Sequence, residues 1–167
     1  VGALAREAFP GGVLIDLPHD DPGRVDATRR ALDSGAPAVF EATFVEDQVY
    51  VAIDILERTG DGFTLIEVKS STKRKDEHIP DIAIQTWVAR RAGIDVRRME
   101  LMHVNTNFRH PDQGGLFERT DVTEEVEVQC PYCSEAFVVQ VETTHGRVSM
   151  TEARAVCCRP VALRIEC

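Results

Sequence analysis

The sequence is short of several things that would place it in other classes. No apolar run approaches the ~18 residues needed to cross a bilayer, and no signal-peptide pattern opens the chain, so a cytoplasmic protein with no membrane association is expected. Positive charge is in deficit: 19 Lys and Arg stand against 28 Asp and Glu, a formal net charge of −9, which argues against non-specific nucleic-acid binding by bulk electrostatics. No cysteine occurs before Cys130, and all 5 fall after that boundary. Such a compositional break, without an export signal, points to a reduced, metal-binding tail rather than a disulfide framework. There is no internal repeat, and the first residue is Val1 rather than Met, as expected of an internal fragment or a processed product. What is present is globular: 43% hydrophobic and 28% charged residues. A chain of 167 residues accommodates one domain, or a domain of about 120 residues with a small appendage.

The most informative stretch is Val49 to Lys69. Two runs rich in β-branched and aromatic residues, Val49 to Leu56 and Phe63 to Lys69, flank the turn signal Thr59-Gly60-Asp61-Gly62. With Gly60-Asp61 as a two-residue loop, the register places Asp54 directly opposite Glu67. Strand alternation puts Glu67 and Lys69 on one side. Two carboxylates facing each other at about 5 Å repel. A cation must offset that repulsion, and Lys69 supplies part of it, with a divalent metal as the candidate for the rest. A solvated charged face is the competing account. Against it, strict alternation gives Asp54 the companions Ala52, Leu56, Phe63 and Leu65, and gives the opposite face Val49, Val51, Ile53, Ile55, Ile66 and Val68. Both faces are then apolar, as in a central hairpin.

Elsewhere the chain reads as alternating short elements. Val1 to Ala8 reads as a helix with Leu4 and Ala8 on one stripe, stopped by Pro10-Gly11-Gly12, and Val13 to Leu17 as a strand. Arg24 to Asp33 reads as a helix ended by Ser34-Gly35, and Ala38 to Phe44 as the strand leading into the hairpin. Glu41 interrupts that apolar strand; it either faces the cleft of Asp54 or lies on the rim. A polar loop, Ser70 to Glu77, precedes a helix from about Ile79 to Ala92, with Pro80 and Asp81 in its first turn and Gly93 as its C-cap. Gln85 shares an apolar face with Ile82, Val88, Ala89 and Ala92. A glutamine there must satisfy the local backbone or reach into a polar cleft. His78 reaches toward the same place, and a satisfied core histidine is the competing account. Met99 to Val104 is a further strand, His110 to Gly115 a loop, and the acidic segment Glu124 to Glu127 the junction with the tail. Lys73, Arg74 and Lys75 after the hairpin are the candidate DNA contacts, against the plainer account of a solvated charge run.

The order strand, hairpin with Ile53-Asp54, Glu67-Val68-Lys69, then a helix carrying Gln85 resembles the PD-(D/E)xK nuclease superfamily and its RecB-like branch. The phrases Val1 to Arg6, Phe9 to Gly12, Leu65 to Ser71 and Lys75 to Gln85 resemble one uncharacterised bacterial group within it, related to the exonucleases of CRISPR adaptation. The resemblance covers about residues 1–127. It implies an α/β, restriction-endonuclease-like core with a mixed central sheet flanked by helices. It also implies Mg²⁺ or Mn²⁺ held by Asp54, Glu67 and the Val68 carbonyl, with Lys69 and Gln85 completing a catalytic set and Glu41 and His78 as accessory candidates. DNA would be the substrate. Relatives continue upstream through a helix with a metal-site histidine and a cluster cysteine, so this domain is expected to be N-terminally truncated. The aromatic found in relatives four residues after the Gln is Ala89 here, and their further cluster cysteines, downstream of the acidic segment, are not recognisable.

The tail, 128–167, opens with the knuckle Cys130-Pro131-Tyr132-Cys133 and closes with Cys157-Cys158-Arg159-Pro160. Two thiolates three positions apart chelate one tetrahedral metal. The pattern resembles a small bacterial zinc-ribbon-like family whose closing motif begins with a cysteine where this chain has Arg154. Zn²⁺ on Cys130, Cys133, Cys157 and Cys158, or with recruitment of Cys167 or His145, is the expectation, as a weakened or three-cysteine site. Reduced cysteines with no metal are the competing account. For the whole chain the residues leave three functions open: a Mg²⁺- or Mn²⁺-dependent deoxyribonuclease, a catalytically silent nucleic-acid-binding or protein-interaction module of the same fold, and a zinc-dependent adaptor.

Overall fold

The computed structural model describes residues 1–75, 77–109 and 115–123, together with the backbone of four short strands in 127–166. The elements, in order, are α1 (Gly2–Arg6), β1 (Val13–Leu14), α2 (Gly23–Asp33), β2 (Ala38–Glu46), β3 (Val49–Thr59), β4 (Gly62–Val68), α3 (His78–Arg91), β5 (Val96–Val104) and β6 (Phe117–Asp121). Strands β1 to β6 form one mixed sheet in sequence order. β1 runs parallel to β2, β2 to β4 form an antiparallel meander, β5 returns parallel to β4 after α3, and β6 is antiparallel to β5. The protein is thus a mixed α/β structure with a six-stranded sheet flanked by helices.

The β3–β4 turn has the expected register from Thr59 opposite Gly62 to Ile55 opposite Ile66, but the ladder ends there and does not include the expected pair of Asp54 with Glu67. Gly62 is required there. Its φ is +145°, and a Cβ would sit 2.5 Å from the Asp95 carbonyl oxygen. Both faces of the sheet are covered. One packs Val39, Ile53, Leu56, Leu65 and Leu101 against Ala31 of α2 and Ile82, Val88 and Ala89 of α3. The other packs Phe40, Ile55, Ile66 and Met102 against Ala5 and Phe9. Arg119 of β6 ties Glu57 and Glu100 together and lies over the Phe9 ring.

Three expectations are corrected. The buried stripe of α1 is Ala5 with Phe9, not Leu4 and Ala8, because the helix rests on the Phe40–Met102 side. The strand expected over Val13 to Leu17 pairs only at Val13–Leu14. Strict alternation along β3 also fails: Val51 and Ile53 share a cluster with Leu56 and Leu65, whereas Ile55 lies on the other face. The reason is local. Glu41 has φ +58°, and the pair it would make with Asp54 is missing from a ladder whose register is otherwise continuous, Phe40 opposite Ile55 and Ala42 opposite Ile53. No residue is inserted, so this is a kink crossing both strands rather than a bulge.

In the tail, β7 (Glu127–Gln129) and β8 (Ala136–Val138) form one antiparallel pair, and β9 (Arg147–Ala153) and β10 (Pro160–Glu166) another. The loop from His110 to Gly114 and Glu124 to Val126 of the acidic junction lie outside the described residues. So do Cys130, Cys133, His145, Arg154, Cys157, Cys158 and Cys167.

Candidate active site

The end of β4 and the residue after it place a buried Glu67 and partly exposed Val68 and Lys69 next to Asp54 on β3. Asp54, half-buried on β3, accepts a hydrogen bond from the Val68 N–H through Oδ2 at 2.7 Å. Glu67 is buried and its two oxygens are differently engaged: Oε1 lies 2.9 Å from the Lys69 ammonium, and Oε2 accepts from Gln85 Nε2 at 2.7 Å. Gln85 therefore reaches across from the apolar face of α3 to a strand carboxylate. Lys69 also pairs at 3.1 Å with the exposed Asp81 in the first turn of α3, so its charge is shared.

The electrostatics follow from this crowding. Burial, then the neighbouring charge of Glu67, raises the Asp54 carboxyl from 3.8 to about 7; Glu41 adds to the rise, while the Val68 N–H and Lys69 oppose it. For Lys69, burial acts downward, but the hydrogen bond and charge of Glu67, followed by those of Asp81, outweigh it and raise the ammonium above its ordinary value. His78 is lowered, by burial first and by the Lys69 charge second. It is buried, with Nδ1 accepting a long 3.4 Å contact from the Lys75 N–H, which gives it a local structural role at the start of α3. Glu41 is near enough to act on Asp54, and its side chain is 41% exposed. Lys73, Arg74 and Lys75 are exposed in the loop that follows Lys69.

One residue escaped the sequence reading. Arg24 of α2 is buried and bound to β2 next to this site. In sequence it looks like any arginine of a polar helix, and no local signal distinguishes it from Arg29 or Arg30.

Among the described residues no three His, Cys, Asp or Glu side chains converge as a ready cation site. The donors that do meet are hard oxygens, which suit Mg²⁺ or Mn²⁺. Two further observations fit such a cation. The Asp54 carboxyl, raised to about 7 by burial first and then by the charges of Glu67 and Glu41, lies in a partly desolvated acidic surround that a cation would relieve. Gln85 Oε1 is buried and, among the described residues, without a hydrogen-bond partner.

Residues 128–167 match a family described as a bacterial zinc ribbon domain. The match lies wholly within the cysteine-rich tail and accords with Zn²⁺ binding there. No curated protein and no solved structure matches the chain. Among the described residues, no helix is long and apolar enough to cross a membrane.

Proposed function

We propose that residues 1–127 are a metal-dependent deoxyribonuclease core of the RecB-like PD-(D/E)xK kind, joined to a zinc-binding tail. The observation that carries this reading is the convergence of Glu67 with Lys69 and Gln85 beside an Asp54 carboxyl raised to about 7. An order of strand, antiparallel hairpin, helix and parallel strand around those residues also supports it. Asp54, Glu67 and the Val68 carbonyl would hold Mg²⁺ or Mn²⁺, which supplies Lewis-acid polarisation of the scissile phosphate and activation of water. Lys69 holds its ammonium within hydrogen-bond distance of Glu67 Oε1, where it offsets charge developing on the phosphate. Gln85 fixes the orientation of the Glu67 carboxylate through Nε2 and keeps Oε1 free to accept from the incoming water. Lys73 and Lys75 supply local positive charge for the DNA backbone on a chain that is otherwise acidic.

The test is cleavage of single- and double-stranded DNA with Mg²⁺ or Mn²⁺, comparing wild type with Lys69→Ala. Loss of about 100-fold or more in rate is expected for the variant; no Lys69-dependent cleavage under either metal would sink the proposal. A second reading, a catalytically silent DNA-binding module, draws on the lack of a ready three-ligand cluster among the described residues. It predicts salt-dependent DNA binding that is indifferent to metal and to Asp54→Ala.

A further inference from the structure

Arg24 is 5% exposed, and burying a guanidinium is costly unless its N–H groups are satisfied. They are, and mostly by backbone. Nε donates to Thr43 Oγ1 at 3.0 Å, Nη1 to the carbonyls of Leu17 at 2.5 Å and Ile15 at 3.4 Å, and Nη2 to the Glu41 carbonyl at 3.1 Å. Nη2 also lies 3.8 Å from Glu41 Oε2. Thr28, one turn further along α2, accepts the Thr43 N–H at 2.9 Å. The Nη2 bond, and the Nε bond through a Thr43 hydroxyl that itself donates to the Glu41 carbonyl at 3.0 Å, close on the point where Glu41 takes the left-handed conformation and the ladder pair with Asp54 is missing.

We infer that Arg24 is a positioning residue for the acidic site: its guanidinium holds the Glu41 carbonyl in the kink and so frees Asp54 from β2 to meet Val68 and Glu67. The inference rests on the reading of Asp54, Glu67 and Lys69 as a metal-dependent site. A regular antiparallel pair would put Asp54 under strict alternation, opposite Glu41 and on the face away from Ile53 and Ile55. The kink releases that constraint on both strands at once. Glutamate has no intrinsic preference for positive φ, and what favours it here is the pair of donors on its carbonyl, Arg24 Nη2 from α2 and the Thr43 hydroxyl that Arg24 Nε also engages. An arginine that served only to fill the core would not need donors aimed at the Glu41 carbonyl and at the Thr43 hydroxyl beside it.

The test uses the whole zinc-loaded chain and three variants. Arg24→Met keeps length and volume but removes the donors; Arg24→Lys keeps one donor; Arg24→Met with Glu41→Gly supplies a residue that adopts positive φ freely. Hydrogen exchange of the Val68 amide reports on the Asp54 contact without any metal, and calorimetry with Mn²⁺ reports on the site. In Arg24→Met the Val68 amide is expected to exchange at least about tenfold faster relative to other β4 amides, with a comparable loss of Mn²⁺ affinity. Glu41→Gly on top is expected to restore much of both. If Arg24→Met does not fold, Arg24→Lys with and without Glu41→Gly is read in the same way. Val68 protection that only follows the rest of β4, or that Glu41→Gly fails to rescue, overturns the inference. If wild type binds no Mn²⁺, the metal reading falls by itself and the positioning role is judged on Val68 exchange alone.

Discussion

Replacing Asp54 with asparagine should make the protein more stable, and the size and pH dependence of the gain follow from its surroundings. In the folded protein the carboxyl is raised from 3.8 to about 7, by burial and then by Glu67. At about 1.36 kcal/mol per unit, that rise is a ceiling of roughly 4 kcal/mol held against folding. Asp54 is only half-buried, so about 2 kcal/mol is the expected realised gain after solvent screening. Below about pH 4 the group is protonated in both folded and unfolded chains and exerts no penalty. Between about pH 4 and 7 the unfolded chain ionises while the folded chain keeps its proton, so stability falls as pH rises. Above about pH 7 the whole penalty stands. Asparagine does not ionise, and its Oδ1 still accepts the Val68 N–H. Denaturant unfolding followed by the fluorescence of Trp87, the single tryptophan, would be run at pH 4, 6 and 8 with zinc retained and Mg²⁺ and Mn²⁺ omitted. The advantage of Asp54→Asn should be near zero at pH 4 and largest at pH 8. Adding Mn²⁺ should narrow or reverse it, because only wild type gains from binding. An offset equal at pH 4 and pH 8, or a variant less stable than wild type at pH 8, would refute the reasoning.

Other perturbations separate the site from the scaffold. Gln85→Leu removes the donor to Glu67 and the unpartnered Oε1 together; stability should stay within about 1 kcal/mol while metal-dependent cleavage drops about tenfold or more. Unchanged cleavage would remove Gln85 from the site. Gly62→Ala should cost about 2–3 kcal/mol by forcing an L-residue to positive φ against the Asp95 carbonyl; an unshifted unfolding midpoint would count against the turn geometry. Elemental analysis should find zinc bound through the tail, reduced by Cys130→Ser, and chelation should leave the Trp87 transition in place. Absence of zinc from protein purified without chelator, or loss of that transition on chelation, would contradict an independent zinc-binding tail.

The hairpin was legible because its information is local: two β-branched runs and a Gly-Asp tip fix which residues oppose one another. Gln85 was legible because a polar residue on an otherwise apolar helical face must find a partner, and that partner proved to be Glu67. The kink was not legible. Glu41 adopts positive φ through a side chain 17 positions away, and nothing in Val39-Phe40-Glu41-Ala42 departs from an ordinary strand. The faces of Val51 and Ile53 were misassigned for the same reason, since alternation counted from Leu56 holds only as far as the ladder is regular. Strand β6 was missed because Phe117-Glu118-Arg119-Thr120-Asp121 is polar, as an edge strand can be, and pairs through backbone rather than through an apolar face.

The two-residue tip at Gly60-Asp61 also bears on the order of folding. It joins β3 to β4 by one of the shortest closures in the sheet, whereas β5 reaches β4 only after the whole of α3. The charges of Asp54 and Glu67 are therefore brought together on adjacent strands while the meander forms, before α3 can deliver Gln85 and Asp81. Of the groups that moderate their repulsion, only the Val68 N–H and Lys69 are close in sequence. The barrier to folding carries that repulsion, so Asp54→Asn should gain its stability largely through faster refolding, which stopped-flow Trp87 fluorescence would resolve from slower unfolding. An acidic pair placed at the far end of a locally closed hairpin thus governs the rate at which the fold is reached.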